Sequence, residues 1–341
     1  MRSIQKTLAP VLAAALLAGC AAPAASSGSA VSSSTAAQTT ETAAESLRVV
    51  TTIFPLYDWV RQTAGEDAPI QLTLLLDGGT DLHSYQPSAQ DMAAIADCDL
   101  FIYVGGESDA WVEDALAGAD NPDRRALNLL DLLGTRVYEE ETVEGMEPEE
   151  EEDHDHEEHA VDEHIWTSLR NAQELSAAIR DVLGELDPAH ADQYTANAIA
   201  YGAQLAALDG EYASLTASAP VKTLLFGDRF PFRYLVEDYA LDYYAAFPGC
   251  SADTEASFET VAFLAEKTAQ LDLPAVLTIE GSDGKIAQTI LQTAGGDRVQ
   301  LTLDAMQGTT AADIEAGATY LSIMEQNLGV LRQALGVEEE S

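Results

Sequence analysis

The long alanine-rich stretch at residues 189–218 is the feature that most constrains how this chain can fold, because it contains no glycine-proline break. A helix of that length extends for about 45 Å, which exceeds the width of one small domain. Apolar segments of strand length alternate with helical patterns on both sides of it. The stretch therefore predicts a long, rigid helix that bridges two lobes.

The segments on either side of this helix have the pattern of parallel sheets. Helical patterns separate the strand-like runs, which predicts parallel strands joined by crossover helices. In such sheets, binding groups lie on loops beyond the carboxyl ends of the strands. We therefore predict an α/β protein of two lobes, each with a parallel β-sheet flanked by helices. The predicted strands lie at 47–53, 70–76, 100–104, 223–226, 243–247, 275–279 and 299–303.

The first residues have the pattern of a secretion signal. A positive start at Arg2 and Lys6 precedes a mostly apolar segment that is too short to span a bilayer, and Leu-Ala-Gly-Cys follows it. This tetrapeptide resembles the bacterial lipobox, in which the cysteine becomes the lipidated first residue of the mature protein. We expect a signal peptide at 1–19 and an extracytoplasmic protein that is anchored to the bacterial cell membrane through a lipid on Cys20.

The rest of the chain divides into a tether and two lobes. Residues 20–46 are largely alanine, serine and threonine, which cannot bury enough apolar surface to offset the loss of chain entropy. The remaining chain exceeds the size of one ordinary hydrophobic core. We predict a disordered tether at 20–46, an N-terminal lobe at 47–186, a bridging helix at 187–218 and a C-terminal lobe at 219–341.

The chain is strongly acidic, with a formal net charge of −42. An acidic, histidine-rich loop at 139–163 carries 15 acidic residues and no lysine or arginine. Such a surface repels nucleic acids and anionic substrates and attracts cations. We therefore expect no nucleic-acid partner, and we expect the protein to be a monomer.

Four of the six histidines lie in or directly after this acidic run. Histidine and carboxylate side chains bind borderline divalent cations, so the run indicates metal handling. His154, His156 and His159 are embedded in charge, and we expect them to collect metal weakly. His164 differs, because the apolar Ile165 and Trp166 that follow it anchor it to the folded body.

Three further motifs lie on loops that follow predicted strands. His83 occurs in the sequence DLHSYQP, Asp228 in the sequence FGDRF, and Asp304 directly after the last predicted strand. Each signal has an ordinary structural explanation. A single histidine is more often a core or surface residue than a ligand, Asp228 fits a helix cap or an ion pair, and Asp304 fits a turn.

Taken in order, these motifs resemble the zinc and manganese solute-binding lipoproteins of ABC importers, from the lipobox to the last helix. The resemblance rests on HSYQPS at 83–88, on the glycine-rich GGESDAW at 105–111, and on DEHIW at 162–166 with its following Asn-Ala helix. An acidic, histidine-rich loop before the second of these histidines is typical of the zinc members.

The resemblance implies a metal ion held between the two lobes. Its ligands would be His83 and His164 from the first lobe, with Asp228 and Asp304 from the second. A long bridging helix in this position implies little hinge closure around the ion. Release of the ion would then depend on the membrane permease distorting one lobe.

One ligand motif departs from the family. Where the family has histidine or glutamate followed by Asp-x-Phe, this chain has Gly227 followed by Asp228. Asp228 is our first substitute for the missing ligand, and Cys250 and Glu280 are the alternatives, which spacing alone does not rank. A thiolate from Cys250 would favour zinc over manganese.

The function implied is capture of Zn²⁺, with Mn²⁺ as the alternative, and its delivery to the permease subunits of an ABC importer. We expect no enzymatic activity. A zinc hydrolase with Glu280 or Asp228 as the base is a rival, but no His-Glu-x-x-His spacing occurs. A surface metal buffer or adhesin that uses only the acidic loop is the other rival.

Overall fold

Two four-stranded parallel sheets form the framework of the protein. The structure is a computed structural model that describes residues 46–118, 121, 123–147, 161–251 and 255–338. The predicted signal peptide, Cys20 and all of the predicted tether except its last residue lie outside the described residues. The same is true of His154, His156 and His159.

The first sheet has the strand order β2-β1-β3-β4, and every neighbouring pair is parallel. Short helices join its strands and cover its faces, as is usual for parallel sheets. Its strands are β1 (Leu47–Thr51), β2 (Ile70–Leu74), β3 (Leu100–Tyr103) and β4 (Arg125–Asn128). Its helices are α1 (Phe54–Ala64), α2 (Ala89–Asp97), α3 (Trp111–Ala117) and α4 (Leu129–Leu133).

Two long helices follow, α5 (Leu169–Leu186) and α6 (Ala191–Ser218). The α6 helix has 28 residues and contacts α1, beside the first sheet, and α11 (Tyr320–Ala334), beside the second. Near its start, Asn197 Nδ2 donates to the carbonyl of Ala64 at the end of α1, at 3.1 Å. Further along, the Tyr212 hydroxyl donates to the carbonyl of Met324 at 2.6 Å.

The second sheet repeats the topology of the first, with the order β6-β5-β7-β8 and parallel pairing throughout. A register shift interrupts the pairing of its central strand between Phe226 and Arg229. Its strands are β5 (Thr223–Phe230), β6 (Asp242–Pro248), β7 (Ala275–Ile279) and β8 (Val299–Leu303). Its helices are α7 (Arg233–Tyr239), α8 (Phe258–Gln270), α9 (Lys285–Ala294), α10 (Ala311–Glu315) and α11 (Tyr320–Ala334).

The predicted fold class is confirmed: the protein is α/β, with two parallel sheets flanked by helices. The sequence pattern missed the short edge strand β4 and the helix α4 that follows it directly. The pattern of residues 311–335 predicts one closing helix, whereas the structure has two, α10 and α11. Gly317 lies between those two helices and has a φ of +101°. A residue with this φ cannot continue a right-handed helix, so α10 ends before it.

Buried side chains from both sheets and from the long helices form one continuous apolar cluster. Buried hydrogen bonds also tie the segment after His164 to the second half of the chain. Trp166 Nε1 donates to the carbonyl of Ala305, and the Tyr320 hydroxyl donates to the carbonyl of Trp166, both at 2.7 Å. His164 is therefore held between the two sheets.

The start of the acidic run, residues 138–147, is not a free loop; we term this segment the strap. Residues 139–147 of the predicted loop instead pack against the second sheet and its helices. The Glu141 carboxylate pairs with Arg233 at 2.6 Å, Met146 is buried, and the Glu147 amide donates to the carbonyl of Ala246 at 2.9 Å. Val143 and Met146 pack against the hydrophobic core, although most of their neighbours in the sequence are acidic.

Among the described residues, no helix combines the length and the apolar character that are needed to cross a bilayer.

Candidate metal centre

Two histidines from different loops face each other at the centre of the site. His83 lies in a 3₁₀ turn, Leu82–Ser84, that follows β2, and His164 directly precedes the 3₁₀ turn Ile165–Thr167. Their Nε2 atoms are 3.1 Å apart. This separation suits two nitrogen ligands of one tetrahedral ion, because zinc–nitrogen bonds are about 2.0–2.1 Å long.

The Cys250 thiol completes a group of three metal-binding side chains. The Sγ atom and one nitrogen of each of His83 and His164 all lie within 4.8 Å of one another. Cys250 follows β6, and Gly249 before it allows the close approach. A side chain on Gly249 would place its Cβ 3.0 Å from His164 Cε1. Among the described residues, this is the one group of three or more such side chains.

The buried Gln307 side chain contacts the same point from the loop after β8. When its amide is oriented to suit both neighbours, its oxygen lies 2.9 Å from His164 Nε2 and its nitrogen donates to Asp81 at 2.7 Å. An amide oxygen is a neutral metal ligand, so the side chain offers a fourth coordinating atom. Met306, which precedes it, has a φ of +60°, a left-handed conformation that is rare outside glycine and is found at functional sites.

The other ring nitrogens of the two histidines have partners of their own. His164 Nδ1 lies 3.0 Å from Asp162 Oδ1, and His83 Nδ1 lies 2.7 Å from the Ser108 hydroxyl. The Ser108 amide in turn donates to Glu163 Oε1 at 2.9 Å. Such partners fix the ring orientation and leave the Nε2 lone pairs directed at a shared ion.

Burial and nearby charge affect the two histidines in opposite directions. Burial and the neighbouring His164 lower the pKa of His83 to about 4, so its ring is neutral at physiological pH. Burial also disfavours the charged form of His164, but the Asp162 carboxylate outweighs it and raises the pKa. Burial, with the charge of Glu140, raises the pKa of the Cys250 thiol, so a bound cation would have to displace its proton.

Cavities adjoin the centre on two sides. A cavity of about 220 Å³ is lined by His83 and Cys250 together with Glu107, Glu140 and Glu163. A larger cleft of about 1040 Å³ is lined by residues of both halves of the chain. Acidic side chains therefore face the approach to the histidines, as expected for a site that takes up a cation.

The structure does not bring all the predicted ligands together. It joins His83 and His164 with Cys250, which was an alternative. Asp228 and Asp304, which were the first choices, belong to no such group among the described residues. The two oxygens of Asp228 accept from the backbone amides of Arg229 and Ile279, and an Asp304 oxygen accepts from the amide of Met306.

Glu280, the other alternative, has a structural role in the same region. Its carboxylate accepts hydrogen bonds from the backbone amides of Ala305, Gln307 and Gly308, at 2.7–3.3 Å. Burial and the nearby Asp304 carboxylate raise the pKa of Glu280 to about 7. Glu280 therefore anchors the loop that carries Gln307.

Packing explains the departure from the family motif at Gly227. A Cβ atom at this position would lie 2.6 Å from the backbone of Ala287 in α9. No side chain fits there unless the helix moves, so a histidine ligand is excluded at this point. Cys250, which follows the adjacent strand β6, approaches the histidines instead.

The comparison with protein families matches residues 49–334 to a family described as zinc-uptake complex component A, periplasmic. A zinc-binding lipoprotein, AdcA, from Streptococcus pneumoniae is 33% identical over 296 residues, which cover 86% of this chain and 56% of that protein. The chain thus spans about half the length of that relative. A high-affinity zinc uptake system protein, ZnuA, from Bacillus subtilis is 28% identical and covers 87% of this chain and 90% of its own length.

Solved structures show the same fold. The Zn(II)-bound ZnuA-like domain of Streptococcus pneumoniae AdcA superposes with a TM-score of 0.67 at 30% identity, covering 85% of this chain and 98% of that domain. The metal-dependent lipoprotein YcdH of Bacillus subtilis superposes with a TM-score of 0.70 at 26% identity, covering 85% of this chain and all of its own. With its two repeated sheets and a histidine pair between them, the chain belongs to the family of periplasmic zinc-uptake complex component A proteins.

Proposed function

We propose that this protein captures zinc outside the cytoplasm and delivers it to the permease of an ABC importer. The observation that carries the proposal is the convergence of two Nε2 atoms and a thiol at one point between the two sheets. The family match, to a component of a zinc-uptake complex, supports the same role. The zinc-binding names of the relatives agree with it.

The ligand set that we propose is His83, His164, Cys250 and Gln307. Two imidazole nitrogens, one thiolate and one amide oxygen suit the tetrahedral preference of zinc. Manganese prefers oxygen ligands in octahedral geometry, so the thiol favours zinc as the cargo. The residues would bind the ion with loss of the Cys250 proton.

We infer that the site binds and does not catalyse. A hydrolytic zinc keeps one coordination position for water, whereas four protein ligands close the coordination sphere. The two candidate bases of a hydrolase, Glu280 and Asp228, both accept hydrogen bonds from backbone amides. The family itself is one of zinc uptake.

We further propose that a lipid on Cys20 holds the protein at the outer face of the cell membrane. The Leu-Ala-Gly-Cys sequence supports this anchor, and the relative from Streptococcus pneumoniae is named a lipoprotein. The partners would then be the permease subunits in the same membrane, and we expect the protein to act as a monomer. Labelling with radioactive palmitate, present in the natural chain and absent in Cys20→Ala, tests the anchor.

Zinc titration against a competing chelator tests the binding role. We expect one tight site in the natural protein, and we expect His83→Ala to weaken it by more than about 100-fold, because a ligand is lost. His190→Ala is the matched control, since the half-buried His190 ring contacts Asp187 and Tyr194 and is not one of the proposed ligands. Equal zinc affinity in His83→Ala and the natural protein would overturn the site.

Uptake of radioactive zinc by cells tests delivery. A strain that lacks this protein should take up zinc slowly under chelation, and the natural protein should restore the rate. His83→Ala, expressed at the same level, should not restore it. Full restoration by His83→Ala would contradict the proposed role in transport.

A further inference from the structure

An ion pair between the two halves of the chain lies directly behind the candidate metal centre. The Arg229 guanidinium contacts the Asp81 carboxylate at 2.5 Å, and both side chains are mostly buried. Asp81 precedes His83 after β2, whereas Arg229 ends the irregular part of β5. The pair therefore connects the loop that follows β2 of the first sheet to the end of β5 in the second sheet.

Asp81 also holds two of the proposed ligands. One of its oxygens, Oδ1, caps the 3₁₀ turn by accepting from the His83 amide at 3.0 Å. The other, Oδ2, accepts from the Gln307 amide nitrogen at 2.7 Å. Because a carboxylate accepts hydrogen bonds and does not donate them, it fixes the NH₂ end of Gln307 and turns the oxygen toward His164.

Arg229 extends this connection to the third ligand. Its second terminal nitrogen donates to the carbonyl of Ser251, directly after Cys250, at 3.3 Å. The ion pair is thus bonded to His83, to Gln307 and to the residue beside Cys250. His164 is held instead by Asp162, whose Oδ1 lies 3.0 Å from its Nδ1.

We propose that Asp81, held by Arg229, is a positioning residue that selects the oxygen of Gln307 as a metal ligand. The inference rests on the proposed function, since it concerns the same ion. Asp81 sets which end of the amide faces the cation. Asp81 lies in the first half of the chain, whereas Gln307 and Arg229 lie in the second, so that orientation depends on the relative position of the two halves.

The ordinary alternative is that the pair only stabilises the fold. Replacing Asp81 by asparagine keeps the shape and removes the negative charge. Asparagine offers an NH₂ group as well as an oxygen, so it no longer enforces one orientation of Gln307. A role in folding alone would lower stability without changing the coordination of a bound ion.

The first experiment compares zinc affinity and the visible spectrum of the Co²⁺-loaded protein for the natural chain and Asp81→Asn. We expect zinc to bind about 10- to 100-fold more weakly to Asp81→Asn, as is usual when a partner of a ligand is removed. The ligand-field bands of bound Co²⁺ should change, while the sulfur-to-cobalt charge-transfer band from Cys250 persists. Asp283→Asn is the control, because Asp283 lines the same large cleft but, among the described residues, pairs with Lys285 and not with a proposed ligand.

The second experiment asks whether Asp81 acts through Gln307. In a double-mutant cycle, Asp81→Asn should weaken zinc binding strongly in the natural chain and by less than about threefold in a Gln307→Ala background. An equal loss in both backgrounds, or an unchanged Co²⁺ spectrum in Asp81→Asn, would overturn the proposal.

Arg229→Gln provides a second variant if Asp81→Asn fails to fold. This substitution leaves the Asp81 carboxylate in place but removes its ion pair with the second sheet. We therefore expect a smaller loss of zinc affinity, with the same change in the Co²⁺ spectrum. An Arg229→Gln protein with the natural spectrum and affinity would overturn the proposal. Absence of any tight site in the natural chain would instead refute the proposed function, so the two failures are distinguishable.

Discussion

At the scale of single residues, Asp109 shows how tightly the loops around the metal centre are packed. One of its oxygens accepts from the amides of Val104 and Gly105, but the other is buried without a hydrogen-bond partner. Burial, with a contribution from the nearby Glu163 charge, raises the pKa of Asp109 to about 7. In the folded protein the protonated form of the Asp109 carboxyl group is therefore favoured over the ionised form up to about pH 7.

This environment predicts a specific dependence of stability on pH. Because the pKa of Asp109 is higher in the folded than in the unfolded protein, its contribution to the free energy of unfolding is fully present below the unfolded value near 3.8. That contribution is lost as pH rises to about 7. In Asp109→Asn this loss is absent. We expect the free energy of unfolding of Asp109→Asn, relative to the natural protein, to rise by up to about 1.4 kcal/mol per pH unit between pH 5 and 7.

Urea unfolding at several pH values measures this difference. Asp114→Asn is the matched control, because Asp114 is exposed in the helix that follows, so this substitution removes a charge without changing a buried group. A difference for Asp109→Asn that varies with pH no more than the difference for Asp114→Asn would show that Asp109 is ionised in the folded protein throughout this range.

The sequence predicts some members of the proposed ligand set and not others, for physical reasons. His83 and His164 were predicted because each lies in a recognisable motif at the start of a structured turn. Cys250 was open among three candidates, because spacing does not show which side chain points toward the histidines. Gln307 was missed entirely, since an amide carries no charge signal and only the left-handed backbone of Met306 directs it inward.

At the scale of elements, the strap at 138–147 links the first half of the chain to β6 and α8. Gly145 allows its closest contact. It has a φ of +89°, and a Cβ atom there would lie 2.0 Å from Phe263 Cδ1. Lys267 in the same helix pairs with Glu144 at 3.3 Å. The strap therefore depends on one glycine for its fit.

A pair of glycine substitutions tests this fit. Gly145→Ala imposes both the strained φ and the contact with Phe263, whereas Gly134→Ala imposes a φ of +56° in open space. We expect Gly145→Ala to lower the free energy of unfolding by about 1–3 kcal/mol more than Gly134→Ala. Hydrogen exchange at the Glu147 amide should accelerate in Gly145→Ala alone. Equal effects of the two substitutions would show that the strap contact contributes little.

The elements themselves were largely predictable, because long periodic segments and apolar strands carry a strong signal. β7 (Ala275–Ile279) is fully buried and begins and ends where its pattern predicts. β4 was missed because it is a short edge strand with an exposed arginine at its start. The strap was missed because its charge suggested a solvated loop, whereas a few apolar residues and ion pairs hold it in place.

At the scale of the whole molecule, the metal centre depends on contacts between the two sheets and their helices. The α6 helix, the bonds of Trp166 and the pair of Asp81 with Arg229 all cross between the two halves. This arrangement would place a bound ion where movement of one half against the other changes its coordination. The proposed ligands and the contacts that hold them all lie outside residues 148–160.

Replacement of residues 148–160 by a glycine-serine segment of equal length tests this separation. We expect one tight zinc site to remain with an affinity within about threefold of the natural value, because every proposed ligand lies elsewhere. Weaker additional binding attributed to His154, His156 and His159 should disappear. Loss of the tight site in the same chelator-competition titration would show that the run itself holds the ion.

In the ligand set that we propose, Cys250 and not Asp228 supplies the third ligand. The most direct measurement is the near-ultraviolet absorption of the Co²⁺-loaded protein, in which a cysteine ligand produces a sulfur-to-cobalt charge-transfer band. We expect this band in the natural protein and in Asp228→Ala, and we expect its loss in Cys250→Ser. A band that persists in Cys250→Ser, or tight metal binding that is lost in Asp228→Ala alone, would show that Cys250 is not the third ligand.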